Sequence, residues 1–357
     1  YREKPDIGVF MEEWKSLYES KSGERGIFNR ASAKATVNKH GRRDVNYDFG
    51  TNPCSEIILR DKEFCNLSEV VVRATDTMED LKEKVYWATI LGTWQSTLTN
   101  FKYLSSSWKK NCEEERLLGV SMTGIMDNDL TNGKEPGLAE RLESLRRIAV
   151  ETNKKFAKDI GIPQSAAVTC VKPSGTVSQL TDAASGIHPR HDNYYFRRVR
   201  SDNKDPLTNH LKAAGVPNEP DVTKVDSTTV FTFPIKAPKG SLIRTDISAI
   251  DHLELWLTYQ RYWCEHKPSV TISVKEDEWL DVGAWVYKHF DEVSGVSFLP
   301  LDGGSYRQAP YESVTKEQYE DAASKMPKSI NWDSLVEKQD NVEGIQELAC
   351  VAGNCEI

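Results

Sequence analysis

The chain has 357 residues, 38% apolar and 28% charged, a balance that fits a soluble globular fold and excludes a disordered one. Its formal charge of -8 excludes a general nucleic-acid surface, which needs clustered Lys and Arg, and no stretch approaches the roughly 18 apolar residues of a membrane span. Seven cysteines, an odd number at irregular spacing, do not make a secreted disulfide framework, so a reducing cytoplasm is expected.

The chain opens on "YREKPDIGVFMEEW", with no initiating Met, charged n-region or apolar h-region, so it is expected to be a piece of something longer and not a secretory precursor. Apolar spacing predicts a first helix over 8–20. Next comes "FGTNPCSEIILRDKEFCNLS", with Cys54 and Cys65 eleven positions apart and Glu56 two residues after the first. The Gly/Asn/Pro turn before Cys54 puts that thiol on a loop tip. Period-two alternation from the turn would point Asn52, Cys54 and Glu56 the same way, so that an amide, a thiol and a carboxylate converge. A satisfied buried cysteine beside a surface glutamate is the plainer alternative.

Helical spacing returns over 78–101 and 137–159, followed by a buried strand, "AAVTCV", at 166–171. "KPSGTVSQL" leaves that strand as a loop whose backbone N–H groups, small Gly175 and hydroxyls of Ser174, Thr176 and Ser178 suit a phosphate, or make an ordinary turn. It is not a P-loop, because Lys172 precedes the glycine and no Gly-Lys-Ser/Thr follows. His188 and His191 lack an evident third metal ligand, and Arg197, Arg198 and Arg200 read first as a solvated face. Strands are predicted at 229–235, 269–274 and 295–301, with helices at 249–265, started by Ser248, and 315–325, started by the Thr315 to Gln318 capping box. Helices alternating with such strands imply parallel pairing in a sheet or barrel.

The chain ends with Cys350 and Cys355 in a C-x4-C pair among small residues. Zinc prefers C-x2-C with a second pair of ligands nearby, whereas a swinging dithiol needs two thiols, flexible spacers and a tether, as here. An inert mobile tail is the alternative. Core packing is the default for Cys112, Cys170 and Cys264.

Together, "NPCSEI", the second cysteine in "FCNLS", "KPSGTVSQ" and the C-x4-C end resemble the ribonucleotide reductases, from "GIFNR" at 26 to the last residues. That resemblance implies an α/β fold, the C-terminal half of a ten-stranded α/β barrel with the catalytic cysteine on a central finger loop. It implies a barrel portion over 1–340 and a redox-active tail over 341–357. Cys54 then matches the thiyl radical that removes the ribose 3'-hydrogen, Glu56 the acceptor of the 3'-hydroxyl proton, and Asn52 an amide that holds the sugar. Cys65 matches one of the two thiols that reduce the 2'-carbon. Cys350 and Cys355 match the shuttle reduced by thioredoxin, and Ser174, Gly175, Thr176 and Val177 match the loop that grips the phosphates.

Family members served by a diiron subunit carry two adjacent relay tyrosines on a late strand. Their places fall within Val296, Ser297 and Phe298 here, none of which can relay a radical as tyrosine does, and Tyr194 and Tyr195 lie elsewhere. The resemblance therefore implies the adenosylcobalamin-dependent class, with "FLPLDGGSY" similar to its triphosphate-reducing members. The alternatives are a large subunit of the metallocofactor class and a non-catalytic nucleotide-binding fragment. Because the partner of Cys65 belongs to the half of the family fold that would precede Tyr1, an N-terminal half is an expected partner, and the chain alone is not expected to turn over.

Overall fold

The structure is a computed structural model that describes residues 2–21, 26–301 and 307–336, together with the backbone of two short strands, Cys350–Val351 and Asn354–Cys355. The proposed redox tail otherwise lies outside the described residues. The chain is mixed α/β.

Its central layer is a run of parallel strands. Asn66–Val71 pairs in parallel with Leu118–Thr123, which is fully buried. Residue 120 bridges to Thr169, Val171 bridges to Pro268, and Thr271–Val274 then pairs in parallel with Gly295–Pro300. Gly26–Phe28 closes that side antiparallel to Gly295–Pro300. The 166–171 run thus enters the sheet as expected, although only Thr169 and Val171 form ladder bridges.

Helices cover this layer because their apolar stripes need a partner. Ala249–Tyr262 is capped by Ser248, whose side chain accepts from the Asp251 N–H. Its Trp256 is fully buried, as is the adjoining Trp263, and each indole donates into the sheet, to Pro268 O at 2.8 Å and Cys170 O at 2.7 Å. Burying an aromatic of that size contributes roughly 1.5–3 kcal/mol, and the two indole bonds fix where the helix sits. Met78–Gln95 packs on the Asn66–Val71 edge, and Leu138–Asp159 packs on Met78–Gln95 and on Ala249–Tyr262. Met78–Gln95 stops before the 101 that periodicity predicts, in a series of turns after Ser96. Lys316–Lys325 has the expected capping box between Thr315 and Gln318.

One expectation needs correcting. The run at 229–235 is a strand, Thr228–Lys236, but it is not part of the parallel layer: it pairs antiparallel with Tyr194–Asp202 in a separate four-stranded sheet. Antiparallel sheets can leave one face wet, and several residues of both strands are half-buried accordingly. The basic patch lies here and is spent internally. Arg197 stacks on Tyr311, Arg198 pairs with Glu312, and Arg200 pairs with Asp221 at 2.8 Å. No helix among the described residues is long and apolar enough to cross a membrane.

Candidate active site

The loop carrying Cys54 is a hairpin whose legs, Gly50–Thr51 and Ile58–Leu59, pair antiparallel. Between them the chain turns, so the convergence of residues 52 to 56 does not come from strand alternation. The Ser55 N–H donates to Asn52 O at 2.9 Å, and Ser55 takes a left-handed backbone with φ of 66°. The side-chain oxygen of Asn52 accepts from the Ile57 N–H at 2.9 Å, bracing the turn from inside. Cys54 is left exposed at the tip while Glu56 is fully buried.

A buried carboxylate needs compensation. Lys172 supplies it, with Nζ 3.5 Å from Glu56 Oε1 and 3.9 Å from Cys54 Sγ. Burial opposes the charge of Lys172, but Glu56 and then Cys54 outweigh it, so its ammonium is held above the usual lysine range. The second oxygen, Oε2, has no hydrogen-bond partner among the described residues. A buried acceptor left open in this way costs about 1–3 kcal/mol unless a bound group fills it.

Beneath the tip lies a fully buried lysine, Lys267. Its three protons reach Ser55 Oγ at 2.9 Å, Thr51 Oγ1 at 3.3 Å and Ser294 O at 3.5 Å, and its Nζ sits 4.3 Å from the Phe28 ring centroid. Its backbone N–H donates to Glu56 O at 3.0 Å. Burial lowers this ammonium to about 7, partly opposed by Glu56. Packing here leaves no room: a Cβ on Gly295 would lie 2.4 Å from Ser55 Oγ and 3.2 Å from Lys267 Nζ. Gly295→Ala should therefore push the tip outward and destabilise the chain by about 1–3 kcal/mol. Urea denaturation identical to wild type would show that the tip yields freely.

Cys65 stands just before Asn66–Val71, its sulfur 3.1 Å from where a Cβ on Gly119 would be. Burial first, then the negative charges of Glu56 and Glu63, push this thiol well above the ordinary cysteine range. Cys65 and the Cys54 loop thus share one electrostatic neighbourhood through Glu56. Behind them, Arg43 donates to Glu115 at 2.8 Å, to Glu63 at 3.0 Å and to Ile58 O at 2.7 Å, tying the outgoing leg of the hairpin to the segment that leads into Cys65.

The "PSGT" segment follows Lys172 directly. The Lys172 N–H donates to Ser121 Oγ at 2.8 Å, and its carbonyl is packed against Gly186, whose Cβ would come within 2.4 Å of it. Ser174 is buried, has φ of 58°, and donates to Glu69 Oε2 at 2.8 Å. Gly175 and Thr176 are exposed, a Cβ on Gly175 would meet open space, and Val177–Thr181 is a single short helix. Ser178 is not open to a ligand, since its hydroxyl is bonded to Ser185 at 2.8 Å. His188 is spent as well: its Nε2 accepts from the Thr271 N–H at 3.0 Å and its Nδ1 lies 2.9 Å from Ser185 O. No group of three or more His, Cys, Asp or Glu among the described residues could hold a metal ion. The side chains of Cys350 and Cys355 fall outside the described residues, and only their backbones, paired across a two-stranded ribbon, are described.

Sequence reasoning passed over Lys172 except to exclude a P-loop, and it did not single out Lys267, Glu69 or Arg43. For Lys172 the signal was its place next to the loop. Lys267 gave none, because a lysine in "CEHKPSV" reads as exposed.

No family model matches the chain. Among curated proteins it is 32% identical to the adenosylcobalamin-dependent ribonucleoside-triphosphate reductase of Euglena gracilis, over 94% of this chain and 46% of that protein. It is 28% identical to the protein of the same name from Lactobacillus gasseri, over 94% of this chain and 49% of the other. The chain therefore spans about half the length of the curated relatives it matches. Among solved structures, a B12-dependent class II ribonucleotide reductase superposes with a TM-score of 0.75 at 26% identity, covering 91% of this chain and 49% of that one. The alpha subunit of an Actinobacillus ureae class Id ribonucleotide reductase shares the fold, with a TM-score of 0.57 at 14% identity.

Proposed function

We infer, from the premise that this chain is homologous to the adenosylcobalamin-dependent ribonucleoside-triphosphate reductases, that it is the C-terminal half of such an enzyme and reduces ribonucleotides, triphosphates in particular, to 2'-deoxyribonucleotides. The observation that carries this reading is the exposed thiol of Cys54 beside a buried carboxylate, Glu56, with one oxygen unpartnered among the described residues. A sulfur that must take hydrogen from a sugar has to be reachable, and an acid that must take the hydroxyl proton needs an open acceptor.

In this reading the Cys54 thiyl removes the 3'-hydrogen atom and Glu56 takes the 3'-hydroxyl proton. The 2'-hydroxyl leaves as water. Two thiols then supply two electrons and two protons and end as a disulfide, so the sum is ribonucleotide plus dithiol to deoxyribonucleotide, disulfide and water. Cys65 is one of those thiols. Its raised protonation range suits it, because a thiol that delivers hydrogen must keep it. Asn52, with its oxygen committed to the turn, retains its amide donors for the sugar. Ser174 to Val177 hold the phosphates, Gly175 and Thr176 from exposed backbone. Cys350 and Cys355 form the shuttle that thioredoxin or a similar reductant recharges, which requires a reducing compartment such as the cytoplasm.

Adenosylcobalamin, when bound, supplies the carbon radical that draws the hydrogen atom from the Cys54 thiol, and the open approach to that sulfur fits it. An N-terminal half is the further partner. Supporting this, Asn66–Val71 is paired along one edge only among the described residues, and the neighbouring helix exposes Trp87, Leu91 and Trp94, each more than half accessible.

The test is a thioredoxin-coupled assay with adenosylcobalamin. Deoxyribonucleotide should form when the chain is combined with an N-terminal half from a relative and the cofactor, and should not form without the cofactor or from this chain alone. Product formed equally well without cobalamin would overturn the class, and no product under any condition would overturn the activity.

A further inference from the structure

Glu56 has two lysines of different kinds in its surroundings. Lys267 lies beneath, fully buried, and spends its protons on hydroxyls and a carbonyl. Lys172 comes from the side of the phosphate loop, its side chain 34% exposed, and meets both the carboxylate and the sulfur. Its backbone is pinned by Ser121 and by the close approach of Gly186, which limits where its ammonium can reach. It engages only Oε1 of Glu56.

We propose that Lys172 is a positioning residue for the Cys54 and Glu56 pair: it holds one carboxylate oxygen, turns the other toward a substrate hydroxyl, and lays its positive charge against the Cys54 sulfur. The orienting role rests on the functional reading above, whereas the charge contact with sulfur stands without it. The acids and bases that face Lys172 are Glu56 and Cys54 from the tip, Glu69 from Asn66–Val71, and Cys170 from its own strand segment. Lys267, bonded to Ser55 and Thr51 of the same hairpin, also feels the charge of Glu56. A cation about 4 Å from a thiol favours its thiolate, the form that alkylates, while the protonated fraction still carries the hydrogen that the radical step needs.

The experiment is alkylation of Cys54 in the full chain by iodoacetamide, followed by mass spectrometry of the peptide that contains it, from pH 6 to pH 10 on the order of one point per half unit. At neutral pH, Lys172→Met should slow the reaction about three- to tenfold, displace the profile to higher pH, and converge with wild type at the alkaline end. Lys172→Gln should do the same, and Lys172→Arg, which keeps the charge, should stay within about twofold of wild type. An unchanged rate and profile in both neutral variants, or an arginine variant as slow as the methionine one, overturns the proposal. No nucleotide or cobalamin is needed, so absence of ribonucleotide reduction would sink the functional reading while leaving this contact decided on its own evidence.

Discussion

Replacing Cys54 with alanine in the enzyme completed by its N-terminal half should lower ribonucleotide reduction by at least about a thousandfold, while nucleotide affinity changes by no more than about twofold. The asymmetry follows from geometry. The sulfur stands exposed at the tip, with the Lys172 ammonium 3.9 Å away, so its removal opens no cavity in the core. The 172–177 segment proposed to hold the phosphates is anchored by Ser121, Gly186 and Glu69, none of which depends on residue 54. Cys54→Ser should not rescue, because an O–H bond is harder to break homolytically than S–H. Chromatographic detection of deoxyribonucleotide, set beside equilibrium binding of the triphosphate, checks both halves. A variant keeping a tenth of the wild-type rate would remove Cys54 from the chemistry.

The second large effect is one of stability. Arg43→Met should destabilise the fold by about 2–4 kcal/mol, since it leaves the buried Glu63 and Glu115 with Arg60 as their one remaining guanidinium among the described residues, at 3.3 and 3.4 Å. Its pH dependence has a definite sign. Burial, and then the neighbouring Glu115, raise Glu63 from 4.5 to about 8 in the folded chain. A carboxyl raised in this way favours the folded state at low pH, and its contribution is lost as pH climbs from about 4.5 through about 8. Arg43, and then the Arg60 N–H, oppose that rise. Without Arg43, the deficit should be larger at pH 8.5 than at pH 5.5, where the carboxyls can hold their protons, by about 1 kcal/mol or more. Urea denaturation at the two pH values decides it. A deficit below about 1 kcal/mol at both would mean that the pair relaxes into water.

Much of the secondary structure was legible because its signals are local. The Thr315 to Gln318 box and the Ser248 cap start helices where the residue types demand, since a side-chain oxygen three residues from an open N–H satisfies it whatever surrounds it. Leu118–Thr123 was passed over although all its residues are buried: "LGVSMT" carries a glycine and two hydroxyls that read as a turn. Its glycine is required by the fold instead, because a side chain at 119 would strike Leu67, Cys65 and Ile57. Thr228–Lys236 shows the complementary failure. Its β-branched composition announces a strand, but composition carries no direction, and antiparallel pairing with Tyr194–Asp202 is a long-range fact.

The sequence by itself determined which groups the site has to work with: a thiol after a Gly/Asn/Pro turn, an acid two residues on, a second thiol, and a small-residue loop leaving a strand. Only the tertiary structure decided that Lys172 reaches both the Cys54 sulfur and Glu56. It also set Lys267 beneath the turn and Arg43 behind it, from positions 212 residues beyond Ser55 and 15 before Ile58. The physical reason is that the compensation of buried charge is a property of the folded interior. A lysine is written the same way in sequence whether it faces water or closes a carboxylate's only gap, and the difference exists only once strands far apart in the chain have been brought side by side.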